Sequence, residues 1–292
     1  MASHPPPPLS YSLSLLQNRP NIIRDNLLSR DQLEIIARAS QAHCTMLPDN
    51  VHQRGFFLGD GPGVGKGRQI AGLFLENWIQ GRKKGIWLSI SQDLQHDARR
   101  DLDDVDGTDI PTIVLSGDYG DLQVHEGESL SPFPSTNNQP SLTHTTLSFV
   151  PILNFSNVFS LGVMFVTYSM LVAKSGNRTR FNQILAWLGP HFDGLIAFDE
   201  CHMGNKKTET RNNVMALQNL FPKARVVYSS ATGASVPAEM RHMERLGSYF
   251  SIVYLSLYMC YLSFFLWFFV QSQSPSLQTT TKFISCRIMG TR

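Results

Sequence analysis

The segment Phe56-Phe-Leu-Gly-Asp-Gly-Pro-Gly-Val-Gly-Lys-Gly-Arg68 constrains the fold more than any other part of the chain. A short apolar run enters a set of glycines, meets Lys66 and continues into Arg68–Gln80, where Ile70, Leu73, Phe74 and Ile79 share a helical face. Glycines let the backbone curl so that several N–H groups point at one anion. The following helix adds its positive end, and a lysine placed here reaches outer phosphates. Gly61, Gly63, Val64, Gly65, Lys66 and Gly67 are the expected phosphate cradle. The full pattern has Gly at position 60 and Ser or Thr at 67, whereas this chain has Asp60 and Gly67. The hydroxyl that usually ligates magnesium is therefore missing, and water is expected in its place. Taken without its flanks, the same segment reads as a glycine-rich turn.

The flanks argue against a simple turn. Apolar runs at Phe56–Leu58, Ile86–Ile90, Thr112–Leu115, Val163–Thr167, Leu195–Phe198 and Val226–Ser229 alternate with helical spacing at Arg68–Gln80, Gln92–Leu102, Arg178–Leu188 and Thr210–Leu220. Such alternation predicts an α/β fold, a parallel sheet with helices on both faces. Ligands of these sheets bind beyond the carboxyl ends of the strands. Two more motifs fall at such ends.

Leu195-Ile-Ala-Phe-Asp-Glu-Cys-His202 is an apolar run closed by two carboxylates and a histidine, 133 residues after Lys66 by Asp199. Asp199 suits magnesium held through water, Glu200 suits orienting the water that attacks a γ-phosphate, and His202 suits a sensor of nucleotide state. A solvated strand end is the alternative. Zinc at Cys201 and His202 is a poor rival, because adjacent side chains point apart and no second pair has ligand spacing. The third motif, Val226-Val-Tyr-Ser-Ser-Ala-Thr-Gly233, ends a strand in Ser230, Ala231 and Thr232, small residues suited to couple back to the acidic box.

Charge patterning marks where this texture stops. The 292 residues carry a net charge of +2, but residues 251–292 hold Lys282, Arg287 and Arg292 and no acid. The first 250 residues thus have 22 bases against 23 acids, so the balance gives no argument for a nucleic-acid partner. From Ser129 to Ala173 there is no charged residue, and residues 121–161 read as a low-complexity insertion. Residues 252–270 form an uncharged apolar run of 19 residues, about 28 Å as a helix and long enough to span a bilayer. Residues 1–20, with four consecutive prolines, read as an extended, solvated lead-in. Cys44, Cys201, Cys260 and Cys286 form no CxxC pair, which fits a reducing compartment.

The three motifs in this order resemble the first RecA-like lobe of superfamily 2 helicases, and their wording is similar to the strawberry notch family of nuclear transcriptional regulators. That family's phosphate loop also carries Gly after the lysine. Leu28-Ser-Arg-Asp-Gln-Leu-Glu34, Trp87-Leu-Ser-Ile-Ser-Gln-Asp-Leu94, Asp97-Ala-Arg-Arg-Asp-Leu102, Thr167-Tyr-Ser169 and Ser229-Ser-Ala-Thr-Gly-Ala-Ser235 extend the resemblance. It implies a P-loop NTPase with a DECH box that uses ATP and Mg2+. It also implies nucleic-acid, chromatin or transcription-factor partners and a nuclear location. It places Gln32 near the adenine, with a helix-surface glutamine as the alternative, and Ser91 near nucleic-acid phosphates. The resemblance covers residues 8–120 and 162–247, so 21–247 read as the ATP-binding domain and 248–292 as an aberrant tail of splice or gene-model origin. The family's second lobe is expected to be missing, which leaves a chain that binds ATP weakly and does not unwind nucleic acid. A nucleotide-binding module without turnover and a membrane-tethered P-loop protein are the rival readings.

Overall fold

Helix formation begins earlier than the proline-rich lead-in suggests. The computed structural model describes residues 8–61, 63–115, 122–124, 129–130, 161–175, 178–230 and 241–247. Within residues 1–20, Ser14–Asn18 is already helical (α1), and Leu13 and Leu15 are buried. The cause is Glu76, whose buried carboxylate accepts the backbone N–H of Ser14 and Leu15 at 3.0 and 2.8 Å and the Tyr11 hydroxyl at 2.9 Å. A carboxylate at a helix start satisfies donors that otherwise lack partners. This part of the segment is docked, contrary to the expectation of a solvated lead-in.

A short helix, α2 (Asn21–Arg24), leads into α3 (Arg30–His43). The sequence spacing did not single out α3 as a helix, yet Ser29-x-x-Gln32 is a capping box. The Ser29 hydroxyl accepts the Gln32 N–H at 3.2 Å, and Gln32 Oε1 accepts the Ser29 N–H at 2.9 Å. Then follow β1 (Phe56–Leu58), α4 (Lys66–Ile79), β2 (Lys84–Ser89), α5 (Leu94–Asp104) and β3 (Thr112–Leu115). Helix α4 starts at Lys66, two residues before the expected Arg68, because left-handed Gly65 sets its boundary. Two short strands, β4 (Leu122–Val124) and β5 (Ser129–Leu130), fall within the expected insertion and pair antiparallel beyond β3. After β6 (Gly162–Thr167) come the small hairpin of β7 (Lys174–Ser175) and β8 (Arg178–Thr179), then α6 (Arg180–Leu188), β9 (Leu195–Phe198), α7 (Thr208–Leu220) and β10 (Arg225–Ser229).

The sheet order is β1-β10-β9-β2-β6-β3-β4-β5, and the six strands from β1 to β3 in that order run parallel. The α/β reading is therefore observed. Strands β6 and β9 are buried throughout, as expected of a sheet covered on both faces. One face presents Leu58, Trp87, Phe165, Ala197 and Val227 to the cluster formed with Ile36, Ile70, Leu73 and Leu102 of α3, α4 and α5. Phe74 stacks on Trp87 there, with ring centres 5.5 Å apart. The alternate residues, such as Ile196, Phe198, Val226 and Tyr228, are equally buried and point the other way, where Tyr228 donates its hydroxyl to Gln218 of α7. Each fully buried aliphatic side chain contributes roughly 1.5–3 kcal/mol.

Among the described residues, no helix is long and apolar enough to cross a membrane. The apolar run 252–270, with Ala231 and Thr232 of the third motif, lies outside the described residues.

Candidate nucleotide site

Strand order decides which motifs meet. β1 and β9 both pair with β10, so the glycine loop, the acidic box and Ser230 emerge from three neighbouring strand ends. Hydrogen bonds join them. The Ser230 N–H donates to Leu58 O at 3.1 Å, and the Asp199 N–H donates to Leu88 O at 2.8 Å. His202 Nδ1 lies 3.3 Å from the Ser230 hydroxyl and 3.4 Å from the Glu200 carboxylate.

In the loop, Gly63 and Gly65 take φ of +85° and +77°, a region that L side chains rarely adopt. Those two turns bring the chain to the start of α4. The Lys66 ammonium donates to the carbonyls of Asp60 and Gly61, both at 3.0 Å. Asp60, the departure from the usual glycine, accepts from Gln69 Nε2 at 3.0 Å, so its carboxylate ties the loop to the first turn of the helix. Gln32 Nε2 faces Val64 O at 3.3 Å and Gly65 O at 3.5 Å. Gln32 thus braces the phosphate loop from α3 while its oxygen caps that helix. Gly61 and Val64 line the same loop, and Val64 is exposed.

The space beside Gly67 is taken by a neighbouring side chain. A Cβ at this position would stand 1.9 Å from Asp101 Oδ2 of α5. The carboxylate occupies the space of the missing side chain, and burial pushes the Asp101 carboxyl above the usual carboxylate range.

At the acidic box, Ser89 at the end of β2 donates to Asp199 Oδ2 at 3.1 Å. Burial pushes the Asp199 carboxyl up, the Ser89 bond pulls it down, and the neighbouring Glu200 charge raises it again. Glu200 is left-handed at φ +45°, which is uncommon for a residue with a side chain. The Tyr168 hydroxyl donates to Asp199 O at 2.9 Å. Cys201 is buried and its thiol is pushed up to about 12, so it is an inert packing group. Among the described residues, no three His, Cys, Asp or Glu side chains converge on a metal position. A hard cation here would rely on Asp199, water and phosphate oxygens, and oxygen donors of this kind suit magnesium.

The expected residues Lys66, Asp199, Glu200, His202 and Ser230 therefore gather at one end of the sheet. Ser91 is bonded locally to Asp93 at 3.3 Å. Sequence reasoning missed the roles of Ser89, Asp101 and the Tyr168 hydroxyl. The capping-box spacing was the available signal for Gln32 as the cap of α3, and no signal linked Gln32 to the phosphate loop or Asp101 to Gly67.

Comparisons with known proteins place the sequence in a family. The P-loop containing NTP hydrolase pore-1 family matches residues 1–255. Protein strawberry notch of Drosophila melanogaster is 42% identical over 260 residues, covering 85% of this chain and 14% of that protein. Protein strawberry notch homolog 2 of Homo sapiens is 41% identical over 254 residues (85% and 16%), and Protein FORGETTER 1 of Arabidopsis thaliana 40% over 252 (83% and 17%). The chain thus spans about a sixth of the length of these relatives. Among solved structures, S. cerevisiae Dbp5 bound to RNA and ADP BeF3 aligns with a TM-score of 0.48 at 14% identity, over 82% of this chain and 48% of that one.

Proposed function

The chain belongs to the P-loop containing NTP hydrolase pore-1 family, with the strawberry notch proteins as relatives, and on that premise we propose that it is the ATP-binding, helicase-like lobe of a nuclear regulator. The single observation that carries the reading is the meeting of Lys66, the Asp199–Glu200 pair and Ser230 on three neighbouring strand ends. The triphosphate lies in the Gly61–Gly67 loop, where Lys66 exchanges two backbone carbonyls for phosphate oxygens. Asp199 would hold magnesium. The bound cation supplies charge neutralisation on the phosphates. Glu200 orients the attacking water, and His202 carries the state of the site to Ser230 and the segment beyond it. Nucleic acid lies near Ser91 and its neighbours, and chromatin or transcription partners receive the work of the cycle.

ATP hydrolysis measured with and without nucleic acid tests this. Stimulated hydrolysis that disappears in Glu200→Gln supports an ATPase. Binding without turnover supports a nucleotide-binding module, and failure to bind nucleotide rejects both.

A further inference from the structure

One peptide bond in the acidic box is held from both sides. The carbonyl of Asp199 accepts the Tyr168 hydroxyl at 2.9 Å, and the N–H of Glu200, across the same bond, donates to Asp199 Oδ1 at 3.0 Å. The bond leads into left-handed Glu200, at φ +45° and ψ +51°, a conformation that persists only where its surroundings hold it. On the far side, Glu200 O accepts the Met203 N–H at 2.9 Å. Rotation of the Asp199–Glu200 peptide would break the Tyr168 bond and withdraw the N–H from Asp199 together.

Tyr168 is itself fixed. It is 5% exposed, and its backbone N–H donates to Ser89 O at 3.2 Å, the residue whose hydroxyl holds the other Asp199 oxygen. Its neighbours form a closed loop, with the Thr167 and Ser169 hydroxyls 2.9 Å apart and the Met170 N–H donating to Thr167 Oγ1 at 3.3 Å. Ring and hydroxyl thus have separable tasks: the ring packs, and the hydroxyl orients the peptide.

We propose that Tyr168 is a positioning residue whose hydroxyl fixes the Asp199–Glu200 peptide and thereby presents the Asp199 carboxylate to nucleotide-bound magnesium. This rests on the nucleotide-site reading above. The side chain touches neither nucleotide nor cation and acts through the backbone. Tyr168→Phe keeps the ring and removes only the donor.

The test is binding of a fluorescent ATP analogue, with magnesium and with EDTA, to the wild-type chain, Tyr168→Phe and Asp199→Asn. Magnesium is expected to tighten binding to the wild type. Tyr168→Phe is expected to lose about threefold or more of that tightening while its affinity in EDTA stays within about twofold, the scale of one lost hydrogen bond. Asp199→Asn is expected to lose the tightening as well. A magnesium effect in Tyr168→Phe equal to wild type overturns the proposal and leaves the nucleotide site standing. Loss of affinity in both buffers makes Tyr168 a packing residue and also overturns it. A wild-type chain without magnesium-dependent binding removes the site reading and the proposal together.

Discussion

His202 and Ser230 join two strand ends: the imidazole Nδ1 lies 3.3 Å from the serine hydroxyl, across the seam between the acidic box and the third motif. Neither residue has that partner within its own segment, so the contact exists only when β9 and β10 are in register. Single changes His202→Ala and Ser230→Ala should therefore be non-additive. A double-mutant cycle on urea unfolding should give a coupling of about 0.5–1 kcal/mol, and strict additivity would mean the contact is not made in solution.

The Asp101 carboxylate stands over Gly67. Gly67→Ser restores the hydroxyl of the general phosphate-loop pattern but places a Cβ 1.9 Å from Asp101 Oδ2. The carboxylate has to turn away, at an expected cost of about 1 kcal/mol in urea unfolding. Adding Asp101→Ala should remove most of that penalty. If Gly67→Ser costs the same with Ala at 101, the steric explanation is wrong.

Arg245 is 1% exposed and donates to four main-chain carbonyls. Nη1 reaches Gln53 O at 3.1 Å and Pro222 O at 2.9 Å, while Nη2 reaches Phe221 O at 2.8 Å and also Gln218 O. Its own carbonyl accepts the Gly55 N–H at 2.7 Å, one residue before β1. The side chain thus ties the end of α7 to the entry of the phosphate-loop strand. Arg245→Met should destabilise the chain by about 3 kcal/mol or more, since buried carbonyls lose their donors. Arg245→Lys should recover only part, because an ammonium lacks the planar fork. Thermal or urea unfolding reads both.

How far the site was legible in the sequence follows from which contacts are local. Asp199, Glu200 and Ser230 were readable because each sits at the end of an apolar run, Lys66 because the glycine pattern precedes it, and strand ends of a parallel sheet share one edge. Bounds of the six parallel strands were legible to within two residues, as at Lys84–Ser89 against the expected Ile86–Ile90. Helix α3 was not, because its signal is the Ser29–Gln32 cap and its face is largely alanine and polar residues. Nor was the docking of Ser14–Asn18, which depends on Glu76 lying 62 residues ahead of Ser14 in sequence. Ser89, Tyr168 and Asp101 were missed for the same reason. Their partners are set by strand order and helix packing, which local spacing does not encode.

His43 should make stability pH-dependent. It is buried, its Nε2 lies 3.0 Å from Val226 O, and burial pushes its pKa from 6.5 down to about 4. The unfolded chain therefore takes up a proton that the folded chain refuses between those two values. Stability is fully present above pH 6.5 and falls as pH drops towards 4, by an amount on the order of 3 kcal/mol. His43→Gln, which keeps a donor for Val226 O, should flatten the profile in this window. A wild-type unfolding free energy that does not change between pH 7 and 4.5 would show that His43 titrates normally.

The central claim is that the Gly61–Gly67 loop binds a triphosphate through Lys66. The most direct measurement is the equilibrium affinity of the 292-residue chain for ATP with magnesium, compared between wild type and Lys66→Ala. The predicted result is saturable wild-type binding that weakens by about tenfold or more in Lys66→Ala, as expected when a charge-assisted phosphate contact is removed. Equal affinity in the two proteins, or no saturable binding by the wild type, would contradict it.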